Sequence, residues 1–257
     1  MKHKIFELII VIPARYNSTR LPGKPLIDIN GTPMLMRVYQ TAKSVTAADR
    51  IIVATEDQRI YNFCMDNNMD CLITSNEHDT MLSRIFEVST KIKSKFYLVI
   101  NGDEPLLESR NINEILTGIE NEDSKSLIVK NLVSKVNLNN KVTKKNNIND
   151  LKIALNKDNR FVYVSRGLIP FSKSGQGESY YKHLGCYLIT QRSLEFYSGT
   201  SRGPLEMIED IDLLRYIENF IKVEAIIVSS ESISVDVMED VVEASIILNK
   251  RTEREPY

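Results

Sequence analysis

Apolar positions in the first hundred residues come as short runs separated by amphipathic stretches. "FELIIVIPA" (6–14) is almost continuously apolar, the pattern of a strand covered on both faces. A helical spacing follows over "TPMLMRVYQTAKSV", then a second strand at "RIIVAT" and a helix at "DQRIYNFCMDNN". "DCLITS" predicts a third strand, "TMLSRIFEVSTKIK" another helix, and "FYLVI" a strand that runs into "NGDEPLL". Strands alternating with helices imply right-handed βαβ units, and so an α/β fold with a doubly wound, mostly parallel sheet.

The pattern changes over residues 121–150. "NLVSKVNLNNKVTKKNNIND" is rich in Asn and Lys with little periodicity, and reads as a loop or mobile insertion rather than a nucleic-acid patch. Beyond it "LKIAL", "FVYVS" and "YYKHLGCYLIT" predict strands, and "GPLEMIEDIDLLRYIENF" predicts a helix. The strand "VEAIIVSS" and the helix "MEDVVEASIILNK" complete the pattern, with no internal repeat.

Composition narrows the function classes. The chain has 257 residues, enough for one large domain or two small ones, and a formal net charge of −1. Near-neutrality argues against nucleic-acid or membrane-surface binding driven by overall charge, so any anion site must be built locally. No apolar run is long enough to predict a membrane-spanning helix. Glu7 interrupts the first apolar run and no small-residue cleavage site follows, so no signal peptide is expected. Cys64, Cys71 and Cys186 lack metal-ligand or disulfide spacing and read as thiols in a reducing cytoplasm.

The candidate for a local anion site is "VIPARYNSTRLPGKPL" (11–26), directly after the first predicted strand. Open α/β sheets bind ligands beyond the carboxyl ends of their strands. Arg15 and Arg20 offer forked donors for phosphate oxygens, and Lys24 a mobile point charge. Gly23 permits close backbone approach, while Pro13 and Pro22 restrict the path. The segment is neither a G-x-G-x-x-G nor a G-x-x-x-x-G-K-[ST] loop, so dinucleotide-fold and P-loop readings fail on the residues.

That segment resembles the nucleotide-binding signature of the 3-deoxy-D-manno-octulosonate (Kdo) cytidylyltransferases, whose usual form is IPARxxSTRLPGKPL. The similarity continues in order through "INGTPML", "IIVATED", "NGDEPLL", "VSRGLIPF", "YKHLGCY", "PLEMIEDIDLLR" and "VDVMEDV", nearly the whole chain. It implies a nucleotide-diphospho-sugar transferase-like fold in one domain. Residues 1–120 would mainly bind nucleotide and 151–257 would serve acceptor binding and dimerisation. A smaller mixed β region would form the acceptor pocket and dimer contacts, and the last strand and helix would return to the sheet. The implied activity couples CTP to an acidic sugar for surface glycan synthesis, with Mg²⁺ as cofactor, in a cytoplasmic homodimer.

Residue by residue, the resemblance assigns nucleotide contacts to Ala14, Arg15, Ser18, Arg20, Lys24 and Thr80, and catalysis to Lys24, Arg15 and Asp103. Asp103 in "NGDEP" and Asp236 in "SVDVMEDV" match metal-binding aspartates; on residue type alone they read equally as a turn and as a helix N-cap. Acceptor contacts fall to Arg84, Asn101, His183, Tyr187, Glu206 and Glu209. His183 reads otherwise as a structural histidine, and Glu206 with Glu209 as a solvated acidic face. Five residues in three segments depart from the family pattern. Thr80 and Met81 stand where Ser and Gly precede the third helix, Asn101 replaces Gln, and Val237 and Met238 replace Thr and Pro. Kdo, an amino analogue, a nonulosonate or a phosphonate acceptor all stay open, as does a nucleotide-binding relative without catalysis.

Overall fold

A computed structural model describes residues 4–137, 147–173, 179–230 and 232–254. Along the chain run β1 (Phe6–Pro13), a 3-10 turn at Lys24–Leu26, the hairpin β2 (Asp28–Ile29) and β3 (Thr32–Pro33), α1 (Met34–Lys43), β4 (Arg50–Thr55), α2 (Gln58–Asp66), β5 (Cys71–Ile73), α3 (Met81–Lys91) and β6 (Ser94–Ile100). Then come α4 (Ser109–Leu116), β7 (Val129–Asn137), β8 (Lys152–Leu155), β9 (Phe161–Ser165), β10 (Ser179–Thr190), α5 (Gln191–Gly199), α6 (Pro204–Glu209), α7 (Leu214–Glu218), β11 (Glu224–Val228) and α8 (Met238–Arg254).

The main sheet has the order β11-β7-β10-β6-β1-β4-β5, with β8 paired to β10 and β9 to β8. It is parallel across β6, β1, β4 and β5. Beyond β6 it becomes mixed, because β10 runs antiparallel to both β6 and β7 while β11 lies parallel to β7. Alternation along β1 sends Leu8, Ile10 and Ile12 to one face and Ile9 and Val11 to the other. On the first face they meet Leu35 and Val38 of α1, Ile60 of α2 and Ile112 of α4. On the second they meet Leu82 and Ile85 of α3, Leu194 of α5 and Leu214 of α7. Covering both faces is why β1 reads as continuously apolar. Among the described residues no helix is long and apolar enough to cross a membrane.

Two expectations need correction. Part of the segment expected to be a loop or insertion is β7, whose residues from Val129 to Ser134 are buried between β10 and β11. Its polar residues hid it. The Lys130 ammonium pairs with Glu122 at 2.6 Å, and the Asn131 amide donates to the carbonyls of Leu184 and Cys186, at 2.9 Å each. Residues 138–146 lie outside the described residues. The single helix expected over "GPLEMIEDIDLLRYIENF" is two, α6 and α7, because Asp210 takes a left-handed conformation (φ 53°). The helices α4 and α5 lie outside the expected elements because each is short, eight and nine residues.

The break between α6 and α7 is held by a buried ion pair. Arg215 Nε and Nη2 donate to the two Glu206 oxygens at 2.7 Å each, and the guanidinium carbon lies 3.7 Å from the Tyr197 ring centre. Glu206 is wholly buried. Removing one partner of such a pair strands an uncompensated charge. Glu206→Ala is therefore expected to cost about 3–5 kcal/mol in denaturant unfolding, with Glu206→Gln costing less; a loss within about 0.5 kcal/mol, the range of ordinary surface substitutions, would contradict the assignment.

On β10, His183 Nε2 and the Tyr187 hydroxyl lie 2.5 Å apart across an irregularity in the pairing with β7. Burial holds the His183 imidazole neutral, with a pKa pushed down to about 3. The unfolded chain takes up that proton near the usual histidine value of about 6.5. The imidazole thus contributes stability above that value, lost as pH falls toward 3. Asp212, pushed up to about 6 by burial, gives the opposite slope in part of that range but is common to wild type and variant. Unfolding free energies measured from pH 7 to 5 should fall less steeply in His183→Gln, the difference approaching about 1.4 kcal/mol per pH unit; parallel curves would refute it.

Candidate active site

The loop after β1 folds over the carboxyl ends of the parallel strands. Gly23 is left-handed (φ 70°), and a Cβ there would lie 3.0 Å from the Tyr16 hydroxyl oxygen, so only glycine fits the turn without strain. The Tyr16 ring lies 3.4 Å from the Arg59 guanidinium carbon, and Arg59 is itself tied to Asp57 at 2.6 Å. Leu21 anchors the loop in a small cluster with Ile29, Met34, Leu106, Val235, Val241 and Ala244. Ala14 is buried, its N–H bonded to the Ala54 carbonyl at 2.9 Å. The Ser18 hydroxyl accepts from the Leu21 N–H at 3.4 Å, while Arg15 is exposed and the Arg20 side chain about 48% so.

Lys24 opens the 3-10 turn, and its ammonium lies between two carboxylates, 2.7 Å from Asp103 and 3.0 Å from Asp236. Burial works against its charge, yet the two aspartates outweigh it and raise its pKa above the ordinary lysine value. Arg20 reaches Asp236 at 3.0 Å and also donates to the Asn149 side chain. Four of the residues predicted for phosphate and metal thus converge on one point.

Local packing fixes both aspartates. Gly102 precedes Asp103 where a Cβ would lie 2.8 Å from the Pro13 carbonyl oxygen, so the end of β6 presses against the end of β1. The Asp103 carbonyl accepts from the Val235 N–H at 2.9 Å. Asp236 is set by Asp240, whose carboxylate accepts from the N–H groups of Asp236 and Val237 at 2.9 and 3.1 Å. This closes the first turn of α8 with a negative charge, as helix N-termini favour.

Two carboxylates around one cation, with no sulfur or imidazole donor at that point, suit a hard divalent ion. Among the described residues no group of three or more His, Cys, Asp or Glu could hold a metal. The donor set fits Mg²⁺ of the kind that takes one or two carboxylates and completes its shell with substrate phosphates and water.

The acceptor-side residues divide. Asn101 ends β6 beside Gly185 of β10: its N–H donates to the Gly185 carbonyl at 2.7 Å, and its buried Oδ1 has no partner among the described residues. The His183–Tyr187 pair flanks Gly185 on the same strand. The other three, Glu206, Glu209 and Arg84, are engaged within the protein, as is Thr80 of the nucleotide set. Glu206 is committed to Arg215, which corrects its expected role toward sugar hydroxyls. Glu209 ties α6 to β9, accepting from the Ser165 hydroxyl at 2.6 Å and the Arg166 N–H at 3.0 Å. Burial opposes its charge, but these bonds hold its pKa below the usual value. Neither glutamate belongs to a solvated acidic face. Arg84 is buried, paired with Glu56 at 2.9 Å and donating to Thr74, so an acceptor carboxylate would have to compete with these partners. Thr80 is the N-cap of α3; its hydroxyl oxygen accepts from the Ser83 N–H at 3.2 Å and from the Tyr197 hydroxyl at 2.9 Å.

Several residues that shape the site were not singled out in the sequence. Asp212 accepts from the Leu82 N–H at 2.9 Å and so sets the start of α3, and the Arg166 side chain donates to the Glu209 carbonyl at 2.8 Å at the end of α6. Glu104, beside Asp103, is buried. Only Asp240 had a readable signal, an acidic residue three places after the cap position of an apolar-periodic helix. A cavity of about 640 Å³ lies apart from this site, between α1, the stretch from Pro105 into the start of α4, and α8. The guanidiniums of Arg37 and Arg251 at its edge already donate to the carbonyls of Ile29 and Leu106.

The chain as a whole is similar to known proteins. A family model described as cytidylyltransferase matches residues 9–233. The chain is 38% identical to a 3-deoxy-manno-octulosonate cytidylyltransferase of Fusobacterium nucleatum over 233 residues, 90% of this chain and 92% of that one. It is 31% identical to the enzyme of that name from Escherichia coli, over 90% of this chain and 91% of that one. The solved structure of a CMP:2-keto-3-deoxy-manno-octonic acid synthetase complexed with CTP superposes with a TM-score of 0.85 at 28% identity, covering 95% of this chain and 99% of that one. On the extent of these matches, the chain belongs to the 3-deoxy-manno-octulosonate cytidylyltransferase family of nucleotidyltransferases.

Proposed function

We propose that the protein transfers the cytidylyl group of CTP to 3-deoxy-D-manno-octulosonate or a close acidic sugar such as an amino analogue, releasing pyrophosphate. The observation that carries this reading is the Lys24 ammonium between Asp103 and Asp236, at 2.7 and 3.0 Å, beyond the carboxyl ends of β1 and β6. The names of the relatives, and the CTP bound in the similar solved structure, support the choice of nucleotide and acceptor.

In this reading Arg15, Arg20 and Lys24 hold the triphosphate oxygens. Lys24 exchanges its carboxylate partners for phosphate as nucleotide enters, which leaves Asp103 and Asp236 to hold Mg²⁺. When bound there, Mg²⁺ supplies neutralisation of phosphate charge and polarisation of the α-phosphate and the attacking oxygen. The acceptor hydroxyl oxygen forms a bond to the α-phosphorus and gives up its proton to water, while the bond to the pyrophosphate oxygen breaks in line. Catalysis is then mostly positioning and charge neutralisation by fixed groups. Asn101 Oδ1, buried without a partner among the described residues, is a ready acceptor for a hydroxyl or amino hydrogen of the sugar. The neutral His183 with Tyr187 offers polar contact without charge. The N-terminus of α3, with Thr80 as its cap, is assigned to the base on the family resemblance alone.

The same reading makes the protein a cytoplasmic homodimer that supplies an activated sugar for surface glycans. Exposed Val162, Leu168, Phe171, Met207 and Ile208, on and after β9 and on α6, support a self-association surface in the second half of the chain.

Pyrophosphate release measured with CTP, Mg²⁺ and a panel of acidic acceptors is expected with Kdo or its amino analogue. Release confined to a nonulosonate or phosphonate would reassign the acceptor, and silence with every acid would sink the enzymatic reading. CTP should exceed UTP, ATP and GTP under the same conditions, and equal rates with all four would refute a cytidine-specific site. Lys24→Ala should lose roughly 10²–10³-fold in kcat/KM with an unchanged circular-dichroism spectrum, the scale for removing one fixed transition-state donor. Near-normal activity of this variant would remove Lys24 from the phosphate site.

A further inference from the structure

Glu104 follows Asp103 in the chain but not in its surroundings. It is about 1% exposed, and its carboxylate accepts three hydrogen bonds from three places. Oε1 takes the Gly185 N–H at 2.9 Å and the Ser234 hydroxyl at 2.6 Å, and Oε2 takes the Ser232 hydroxyl at 2.7 Å. All three donors are neutral, and among the described residues no ion pair to Glu104 is found within 4.0 Å. Burying a carboxylate without a cation is costly, and a well-packed apolar residue would hold the loops together at least as firmly. The chemistry at this position therefore calls for a reason beyond stability.

The reason lies in what the three donors carry. Ser232 and Ser234 belong to the segment 232–236, which lies in no strand or helix and leads directly to Asp236 ahead of α8. Gly185 sits between His183 and Tyr187, where the pairing of β10 with β7 shifts register. A Cβ on Gly185 would lie 2.8 Å from the Asn101 side chain, so this backbone is also pressed against the end of β6. With the Val235 N–H bonded to the Asp103 carbonyl at 2.9 Å, the 232–236 stretch is stitched to Asp103 and Glu104 at Ser232, Ser234 and Val235. Asp236 is then held at a set distance across from Asp103.

We propose that Glu104 is a positioning residue for the metal pair: through Ser232 and Ser234 it sets Asp236 opposite Asp103, and through Gly185 it ties that pair to the strand bearing His183 and Tyr187. This rests on the reading of Asp103 and Asp236 as metal ligands. Groups that orient ligating carboxylates in this way typically contribute 10–100-fold to metal affinity.

The test is CTP binding by calorimetry with and without Mn²⁺, no acceptor present, for wild type, Glu104→Gln, Ser234→Ala, Asp103→Asn and Asp236→Asn. Wild type should bind CTP more tightly with Mn²⁺. Glu104→Gln should lose roughly tenfold or more of that gain while its metal-free CTP affinity stays within about twofold. Ser234→Ala, which removes one neutral hydrogen bond, should lose about fivefold and serves if Glu104→Gln does not fold. A lower melting temperature with the Mn²⁺ gain intact in both variants overturns the proposal, since a merely structural role predicts that pattern. If Asp103→Asn and Asp236→Asn also keep the gain, the metal-ligand reading itself fails, a separate result from an intact gain in the Glu104 and Ser234 variants alone.

Discussion

The ammonium of Lys24 between Asp103 and Asp236 is the interaction around which the rest of the molecule is arranged. Its two partners lie 79 and 212 residues away in the chain. Two carboxylates this close repel each other unless a cation intervenes. Lys24 supplies that cation within the protein; in the proposed function a divalent ion takes its place. The fold brings the three groups together by separate routes. β6 delivers Asp103, the turn after β1 delivers Lys24, and the packing of Leu21, Ile29 and Leu106 against Val235 and Val241 delivers Asp236 at the start of α8.

Close backbone approaches make that convergence possible. Gly102 lets the end of β6 press on Pro13, and Gly185 lets β10 press on Asn101. The price is an irregular ladder between His183 and Tyr187 with carbonyls to satisfy, and the Asn131 amide satisfies two of them. Polar residues buried in β7 are thus a consequence of how tightly the site is built, and they are also what disguised that strand. A buried polar group that is fully bonded specifies one arrangement.

A second polar network fixes the start of α3. Arg215 holds Glu206, Glu206 lies 3.3 Å from the Tyr197 hydroxyl, and Tyr197 donates to Thr80, while Asp212 takes the Leu82 N–H. The motif "PLEMIEDIDLLR", whose Glu206 and Glu209 the family resemblance assigned to acceptor contact, spends Glu206 and Asp212 on holding another helix in place. Buried ion pairs of this kind specify geometry more than they add stability.

The apolar runs determined β1, β4, β6 and the alternation of strand and helix by themselves, because a strand covered on both faces must be apolar throughout. The clustered cations and glycine of residues 15–24 also raised the expectation of an anion-binding loop, and the fold turns Arg20 and Lys24 of that loop toward Asp236 and Asp103. Strand β7 escaped notice because Lys130 and Asn131 find their partners only after folding, and α4 and α5 because their signal is short. Acidic side chains were the least legible. Asp103, Glu104, Glu206, Glu209 and Asp236 share one chemistry in the sequence, yet two face a lysine, one is bonded by serines, one by an arginine and one by a strand edge. A carboxylate's role depends on which donors stand within about 3 Å of it, and those donors are set by contacts between distant segments that only the tertiary structure creates.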